Sequence, residues 1–339
     1  MVGTGGIGYG SFFLLEGNET LGREESRAGR ILDRRDYCKL HIICHYVKAL
    51  LGEGFDVSPV GRVGSDSEGA RLATEMEAIG MDTRLVAVAE AVPTLFSFCF
   101  LYPDGSGGNL TTRDSASGTV DAGDVRAAEP LMQSLGSAGI ALAVPEVPLA
   151  ARRCLLELAA RHRLFTVASF TRAEMKDVRA SGMLAHVNLC ALNLEEAAAA
   201  AGIAHDRGSR GEPAQTARLS VEALSREFPR LCLSITAGKT GSWSWDGGEL
   251  AFDAAVAVKV EGTAGAGDAH LAGMLAGLSA NLSLSEAQQV GTIVAGAAVT
   301  SPHTIHPAMT AAVLRSTCGL RERTSSRVLA LLDTANGGT

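Results

Sequence analysis

The sequence has 339 residues, 46% of them hydrophobic and 20% charged, which is enough for one large α/β domain or two small ones. Its formal net charge of −7 argues against a nucleic-acid or anionic-membrane partner, because such partners require clustered positive charge. The seven cysteines are scattered and odd in number, and no apolar run is long enough for a membrane helix, so we expect free thiols and a cytoplasmic location.

A glycine-rich segment near the start of the chain, Gly3 to Gly8, formally matches the dinucleotide-binding pattern G-x-G-x-x-G. That pattern requires a strand before it and a helix after it. Only two residues precede Gly3, and Phe12 to Leu15 has the composition of a strand. We therefore do not predict a nicotinamide or flavin site here.

The first predicted helix runs from Tyr37 to Leu51, because apolar residues recur there at helical spacing. Cys38, His41 and His45 share one face of this helix at positions i, i+3 and i+7, a spacing that suits a metal in principle. The alternative is that they are packed side chains, since buried cysteine and histidine are common.

Short apolar strands alternate with amphipathic helices over most of the rest of the chain, which predicts a parallel sheet with crossover helices. Two charged or polar residues follow such strands. Glu146 follows the strand at 140–144, and Asn193 follows the strand at 186–192. Ligands of open α/β sheets bind at the carboxyl ends of strands. Both residues are also ordinary helix caps, and that structural alternative stays open.

The most informative segment is the glycine-rich loop at 261–267, which leads directly into a helix of small residues. Gly265 and Gly267 allow successive backbone N–H groups to converge on one point, and the helix dipole adds positive potential there. Asp268 lies beside this anion hole and is placed to remain ionised and accept the proton of an attacking hydroxyl. The alternative is a turn before a buried helix, in which Gly273 and Gly277 serve close packing.

This segment resembles the second signature of the ribokinase family, the phosphofructokinase B type of sugar and nucleoside kinases. The family pattern is D-T-x-G-A-G-D-x-F-x-G-G, and the chain departs from it at Gly262 and His270. Segments that resemble other family motifs lie earlier in the chain, at 61–69, 193–196 and 236–241, and occur in the family's order. The residues that match the signature are Thr263, Gly265, Ala266, Gly267, Asp268 and Gly273.

The resemblance implies a ribokinase-like α/β fold: a single three-layer α/β/α domain over residues 1–339, with a central, mostly parallel sheet. A small β lid is expected from insertions at approximately 11–36 and 92–114. The implied activity is transfer of the γ-phosphate of Mg-ATP to a hydroxyl of a sugar or sugar-like molecule. Family lids often pair, which implies a homodimer. A nucleoside kinase and a catalytically weak sugar-binding or regulatory protein are the alternatives.

The resemblance also implies roles for individual residues, although the substrate motifs are incomplete. An aspartate expected near Gly8 to Ser11 and a glycine pair and an asparagine expected near Lys39 are absent. Gly262 replaces an aspartate that helps to bind a monovalent cation in many relatives, so whether this chain requires a monovalent cation is left open. The implied catalytic residues are Asp268 as the base and Gly265, Ala266 and Gly267 as the anion hole. The implied nucleotide-binding residues are Asn193, Glu196, Thr236, Gly238, Gly241, Thr263 and His303, with Glu196 ordering Mg²⁺ through water. The implied substrate contacts are Gly8, Ser11, Lys39, His41 and Glu146.

Overall fold

The computed structural model describes residues 1–104, 107–203 and 212–334. In chain order the strands are β1 (Val2–Thr4), β2 (Gly8–Leu15), β3 (Gly29–Tyr37), β4 (Ser58–Gly64), β5 (Val86–Ala89), β6 (Leu95–Leu101), β7 (Gly107–Thr111), β8 (Ile140–Ala143), β9 (Phe165–Ser169), β10 (Leu189–Asn193), β11 (Cys232–Thr236), β12 (Gly241–Trp245) and β13 (Ala251–Ala254). The helices are α1 (Lys39–Leu51), α2 (Ser67–Ala78), α3 (Ala122–Arg126), α4 (Glu129–Leu135), α5 (Leu149–Arg161), α6 (Met175–Ala180), α7 (Leu194–Ala200), α8 (Pro213–Glu227), α9 (Ala266–Ser279), α10 (Leu284–Ala298), α11 (Ala311–Cys318) and α12 (Ser326–Asp333).

A large sheet forms the middle layer, and within the described residues it has nine strands in the order β13-β12-β11-β10-β9-β8-β1-β4-β5. From β11 to β5 all neighbours are parallel, whereas β12 and β13 are antiparallel additions at one edge. The predicted mostly parallel sheet is therefore confirmed. Because this order brings the carboxyl ends of β8 and β10 to one edge, it also places Glu146 and Asn193 on the same side of the molecule.

Helices cover both faces of this sheet, so the chain has two hydrophobic cores and three layers. One core contains buried side chains of α1, α9 and α10, including Ile43, Leu275 and Ile293. The other contains side chains of α5 and α8, including Leu155 and Val221. In the described ranges no helix combines the length and the apolar character that crossing a membrane requires.

Two predicted element boundaries were wrong, each for a local reason. The first helix begins at Lys39 rather than Tyr37, because Tyr37 still pairs with Tyr9 in a strand. The strand predicted at 186–192 begins at Leu189, because a short 3₁₀ turn follows the left-handed Gly182.

A second, smaller sheet stands beside the carboxyl edge of the large one and has the order β3-β2-β6-β7 among the described residues. Its strands come from the two segments predicted as lid insertions. The β2 strand pairs antiparallel with β3 and parallel with β6, and β6 pairs antiparallel with β7. Since side chains alternate along a strand, Phe12, Leu14, Arg34 and Asp36 face a cavity on one side of this sheet.

The α9 and α10 helices cross closely enough that only glycine fits at their contact. A Cβ added to Gly273 would lie 2.7 Å from the Gly291 Cα, and one added to Gly277 would lie 2.8 Å from the Ala287 Cα. These two glycines therefore do serve helix packing, as the structural alternative proposed. The packing fixes the start of α9, which carries the glycine-rich loop.

Candidate active site

The glycine-rich loop turns sharply before α9, and Gly265 makes this turn possible. Gly265 has φ 76°, and a Cβ there would lie 2.9 Å from the Thr304 carbonyl oxygen. The Ala266 N–H donates to the Thr263 carbonyl at 3.2 Å, so this donor is occupied within the loop. The N–H groups of Gly267 and Asp268 donate to no other group in the described part of the chain. They point out of the start of α9 and are free to bind an anion.

Asp268 lies at the start of α9 against Lys39, the first residue of α1. The Lys39 Nζ is 3.6 Å from the Asp268 Oδ1. Burial raises the pKa of Asp268 above its ordinary value, and Lys39 opposes that rise. The Asp268 charge in turn raises the pKa of Lys39, which therefore stays protonated. Asp268 is thus a largely buried carboxylate, with 15% of its side chain exposed, whose ionised form depends on the neighbouring lysine.

Glu146 lies directly after β8 in a strained backbone conformation. Its φ is 78°, a value that non-glycine residues rarely adopt and that occurs often at functional sites. The Glu146 Oε2 accepts a hydrogen bond from the Lys39 backbone N–H at 3.0 Å. Burial raises the pKa of Glu146 to about 7, and the Lys39 charge opposes this. Gly6 leaves the space that the Glu146 side chain fills, because a Cβ on Gly6 would overlap the carboxylate.

Asn193 and Glu196 form a reciprocal cap at the start of α7. The Asn193 Oδ1 accepts from the Glu196 N–H at 2.9 Å, and the Glu196 Oε2 accepts from the Asn193 N–H at 2.8 Å. The structural reading of this pair is therefore correct, but the pair also lines a small cavity of about 110 Å³. Thr236, Gly267, Asp268 and Lys39 line the same cavity.

A larger cavity of about 830 Å³ lies between the small sheet and the glycine-rich loop. Its volume is in the range of small-molecule sites. Thr263, Gly265 and Glu146 line it, together with Lys39 and Asp268. Lys39 and Asp268 thus line both cavities and mark the boundary between them.

The structure does not bring the other predicted contacts into these two cavities. His41 and His303 line a separate cavity of about 600 Å³, with Tyr37 and His45. The His303 Nδ1 accepts a hydrogen bond from the Arg35 backbone N–H at 2.8 Å, which ties the turn after α10 to β3. Within the described residues no group of three or more His, Cys, Asp or Glu side chains is arranged to hold a metal, so the metal alternative for the α1 face finds no support.

Glycine residues among the predicted contacts act through backbone shape. Gly8 packs against the Leu95 backbone, where a Cβ would overlap the carbonyl oxygen. Ser11 alternates with Phe12 along β2 and so points to the opposite face from the cavity. Gly238 and Gly241 have φ 55° and 123° in the tight turn between β11 and β12.

Sequence reasoning missed Asp36, a carboxylate near the end of β3. Asp36 is 6% exposed and lines the large cavity. Its Oδ2 accepts a hydrogen bond from the Cys99 Sγ at 3.4 Å. Burial raises the pKa of Asp36 to about 6, although hydrogen bonds from Cys99 and its neighbours oppose the rise. Every second residue of this strand, at 30, 32, 34 and 36, lines the large cavity. This period of two could have indicated that Asp36 faces the cavity, but the register of β3 was not predicted.

The raised pKa of Asp36 leads to a prediction about stability. The Asp36 carboxyl has a higher pKa in the folded state than in the unfolded state. Such a group stabilises the folded state at pH values below its unfolded pKa, and this stabilisation is lost as the pH rises through its folded pKa. We therefore expect Asp36→Asn to raise the free energy of unfolding by about 1–3 kcal/mol above pH 7, and by less near pH 4. Urea denaturation of both proteins at pH 8 and pH 4 measures the difference. An Asn variant that is less stable than the wild type at pH 8 would contradict the prediction.

Comparison with known proteins identifies the family. The sequence model of the pfkB family carbohydrate kinases matches residues 45–311, well over half of the sequence. The chain belongs to this family. Among curated relatives, inositol 3-kinase of Zea mays is 38% identical over 119 residues, which are 32% of this chain and 30% of that protein. Fructoselysine 6-kinase of Escherichia coli strain K12 is 37% identical over 81 residues, which are 24% of this chain and 31% of that protein. The matched segments thus span less than a third of each relative.

Solved structures show that this pfkB-family chain has a ribokinase-like fold, as the resemblance implied. Ribokinase from Cryptococcus neoformans var. grubii serotype A in complex with ADP superposes with a TM-score of 0.76 at 19% identity, over 94% of this chain and 98% of that chain. Adenosine kinase from Sinorhizobium meliloti gives a TM-score of 0.69 at 18% identity, over 94% and 99% of the two chains.

Proposed function

We propose that this pfkB-family chain is an ATP-dependent kinase that phosphorylates a hydroxyl of a sugar or polyol. The observation that carries the proposal is the position of Asp268. Its carboxylate lies at the boundary of two cavities, beside free N–H donors at the start of α9 and 3.6 Å from the Lys39 ammonium. A base, an anion hole and a cation therefore meet at one point, as phosphoryl transfer requires.

In the proposed reaction the acceptor binds in the large cavity and its hydroxyl faces Asp268. Asp268 takes the hydroxyl proton while the oxygen attacks the γ-phosphorus, and the bond from the γ-phosphorus to the bridging oxygen of ADP breaks. The N–H groups of Gly267 and Asp268 and the Lys39 ammonium stabilise the negative charge on the transferring phosphoryl group. ADP leaves from the side of the small cavity.

The residues around the small cavity fit the terminal phosphate of ATP with Mg²⁺, because a volume of about 110 Å³ is too small for the whole nucleotide. Thr236 and Gly267 offer hydrogen-bond donors, and Glu196 has one carboxylate oxygen that is not used in its cap. Magnesium keeps several water ligands in nucleotide sites, so Glu196 and Asn193 would hold it through water. The ion would neutralise phosphate charge. One superposed ribokinase contains ADP and one from Arabidopsis thaliana contains ribose and ATP, which supports ATP as the donor.

The names of the curated relatives favour a sugar or cyclic polyol as the acceptor, since one is an inositol kinase and one a fructoselysine kinase. A nucleoside acceptor is the second candidate, because an adenosine kinase shares the fold. The side chains that face the large cavity favour the first candidate. Phe96 and Phe98 of β6, whose rings could stack on a base, do not line that cavity. Phe12, Tyr37 and Tyr102 do line it, but Asp36, Ser97 and Asn109 line it as well and offer partners for the hydroxyl groups of a sugar.

The test is a panel of acceptors with Mg-ATP, including myo-inositol, fructose, fructoselysine, ribose and adenosine, with the phosphorylated product identified by mass spectrometry. A phosphorylated sugar or polyol is the expected product. Phosphorylation of adenosine alone would favour the nucleoside kinase, and acceptor binding without any product would favour a binding protein.

A homodimer in the cytoplasm completes the proposal. The face of the small sheet opposite the cavity carries Phe13 and Phe98, whose rings are 5.8 Å apart, and the exposed side chains of Ile31 and Leu110. Ile31 is 71% exposed and Leu110 is 62% exposed. An apolar surface of this kind is typical of a protein interface. We expect light scattering to give about twice the chain mass of 35.1 kDa, and substitution of Ile31 and Leu110 by glutamate to give the mass of one chain.

A further inference from the structure

The large cavity contains a carboxylate, Asp36, that lies outside the family motifs identified in the sequence. Asp36 lies on the cavity face of β3, and Ser97, Asn109 and Glu146 line the same cavity. It is 6% exposed and forms no ion pair with any described residue. A buried carboxylate without a cation is costly, so its retention requires an explanation.

The surrounding residues leave Asp36 accessible from the cavity. Gly10 lies opposite it on β2, and a Cβ there would overlap the Asp36 Oδ2. The Cys99 thiol, 3.4 Å away, is a weak donor. The Tyr37 N–H and the Thr304 and Ser97 hydroxyls also lower the pKa of Asp36, but the Tyr37 N–H donates to the Thr304 Oγ1 and the Ser97 hydroxyl to the Asn109 Oδ1, so part of the acceptor capacity of the carboxylate remains. Ser97 donates its hydroxyl to the Asn109 Oδ1 at 2.7 Å, which leaves the Asn109 amide group and the Ser97 oxygen for other partners.

We propose that Asp36 binds hydroxyl groups of the phosphate acceptor, with Ser97 and Asn109 as its neighbours. The inference rests on the proposed kinase function and adds a specificity-determining residue to it. The strand β2 lacks the aspartate expected near Gly8 to Ser11, and Asp36 supplies a carboxylate from the adjacent strand instead. Hydroxyl groups are donors, and a carboxylate with free lone pairs accepts from two of them.

The charges around the cavity specify the class of acceptor further. Asp36 and Glu146 face the same cavity: the Asp36 charge raises the pKa of Glu146, and both carboxylates raise the pKa of Cys99. A phosphate or carboxylate bound beside Asp36 would meet like charge and lose its hydration. The group of the acceptor that contacts Asp36 and Glu146 is therefore neutral and hydroxyl-rich, whereas the cations Arg30, Arg34 and Lys39 line other parts of the same cavity.

The experiment compares the wild type with Asp36→Asn and with Asp33→Asn, a matched control. Asp33 lies on the same strand but lines the separate cavity that contains His41 and His303. The acceptor KM, the ATP KM and kcat are measured with the best neutral acceptor of the panel and with its monophosphate. Binding of the neutral acceptor without ATP is measured by calorimetry in the same proteins.

In Asp36→Asn we expect the acceptor KM and Kd to rise at least about 10-fold, the range of a hydrogen bond to a charged group. The ATP KM is expected to stay within about twofold, and the preference for the neutral acceptor over its monophosphate to decrease, which a purely structural role would not produce. Asp33→Asn is expected to match the wild type.

Two results would overturn the inference. The first is an acceptor KM and Kd in Asp36→Asn equal to those of the wild type, which would leave the kinase function intact. The second is an equal loss in Asp33→Asn, which would show a general effect of β3. Failure of the proposed function has a different signature, since the wild type would then bind no acceptor of the panel or transfer no phosphate to it.

Discussion

Replacement of Asp268 by asparagine is expected to lower kcat by about 10²–10⁴-fold, the contribution of a positioned general base. The amide keeps the size of the side chain and its place at the start of α9, but it cannot take the hydroxyl proton. The ATP KM should change little, because the N–H groups that bind phosphate belong to the backbone. Steady-state kinetics of the purified variant with the identified acceptor measures both constants.

The matched control for this substitution is Asp246→Asn, which makes the same chemical change in the exposed turn between β12 and β13. It should leave kcat unchanged. Circular dichroism and urea denaturation establish that both variants are folded. If Asp268→Asn retained wild-type kcat, another group would have to be the base, and the assignment of the catalytic centre would be wrong.

The second large effect is expected for Lys39→Met, which keeps most of the length of the side chain but removes its charge. Loss of one group that stabilises the transferring phosphoryl group should lower kcat by about 10²–10³-fold. Lys39 also lowers the pKa of Asp268, so its removal should raise the pKa of the base. The base must be ionised to act, and therefore the acidic limb of the pH–kcat profile should shift to higher pH.

The pH profile separates this role from a structural one. Lys39→Arg keeps the charge and should retain more activity and a profile close to that of the wild type. Lys176→Met, on the exposed surface of α6, controls for the loss of a lysine. A Lys39→Met variant with wild-type kcat and an unshifted acidic limb would show that the lysine neither binds phosphate nor tunes Asp268.

The parts of the fold and site that could be predicted from the sequence are those that local chemistry specifies. The loop at 261–267 combines glycines and an aspartate within a few residues, so its geometry at the start of α9 follows from the segment itself. The alternation of strands and helices likewise led to the parallel sheet. That order of strands then placed Glu146 and Asn193 at one edge of the sheet.

The parts that could not be predicted depend on contacts between distant segments. Lys39 meets Asp268 only because α1 packs against α9, and nothing in either segment specifies that the ammonium points toward the carboxylate. Asp36 was missed because the register of β3 against β2, with its irregularity between Gly10 and Phe12, decides which face the side chain takes. A shift of one residue would have pointed Asp36 away from the cavity.

The positions of His41 and His303 illustrate the same limit. His41 lies in the first turn of α1 and Tyr37 at the end of β3, and their rings are 4.7 Å apart. The hydrogen bond from the Arg35 N–H to the His303 ring links β3 to the turn after α10, across 268 residues of sequence. The resemblance supplied both residues as ligand contacts, but the packing of α1 and β3 directs them to a separate cavity.

The most direct test of the central claim is the transfer of radiolabel from [γ-³²P]ATP to the acceptor in the presence of Mg²⁺, with the wild type and Asp268→Asn assayed side by side. We expect labelled sugar or polyol phosphate from the wild type and at least about 100-fold slower labelling by the variant. Equal labelling by both proteins would contradict the assignment of Asp268 as the base. Absence of labelled product from the wild type with every sugar and polyol of the panel would contradict the proposed kinase function.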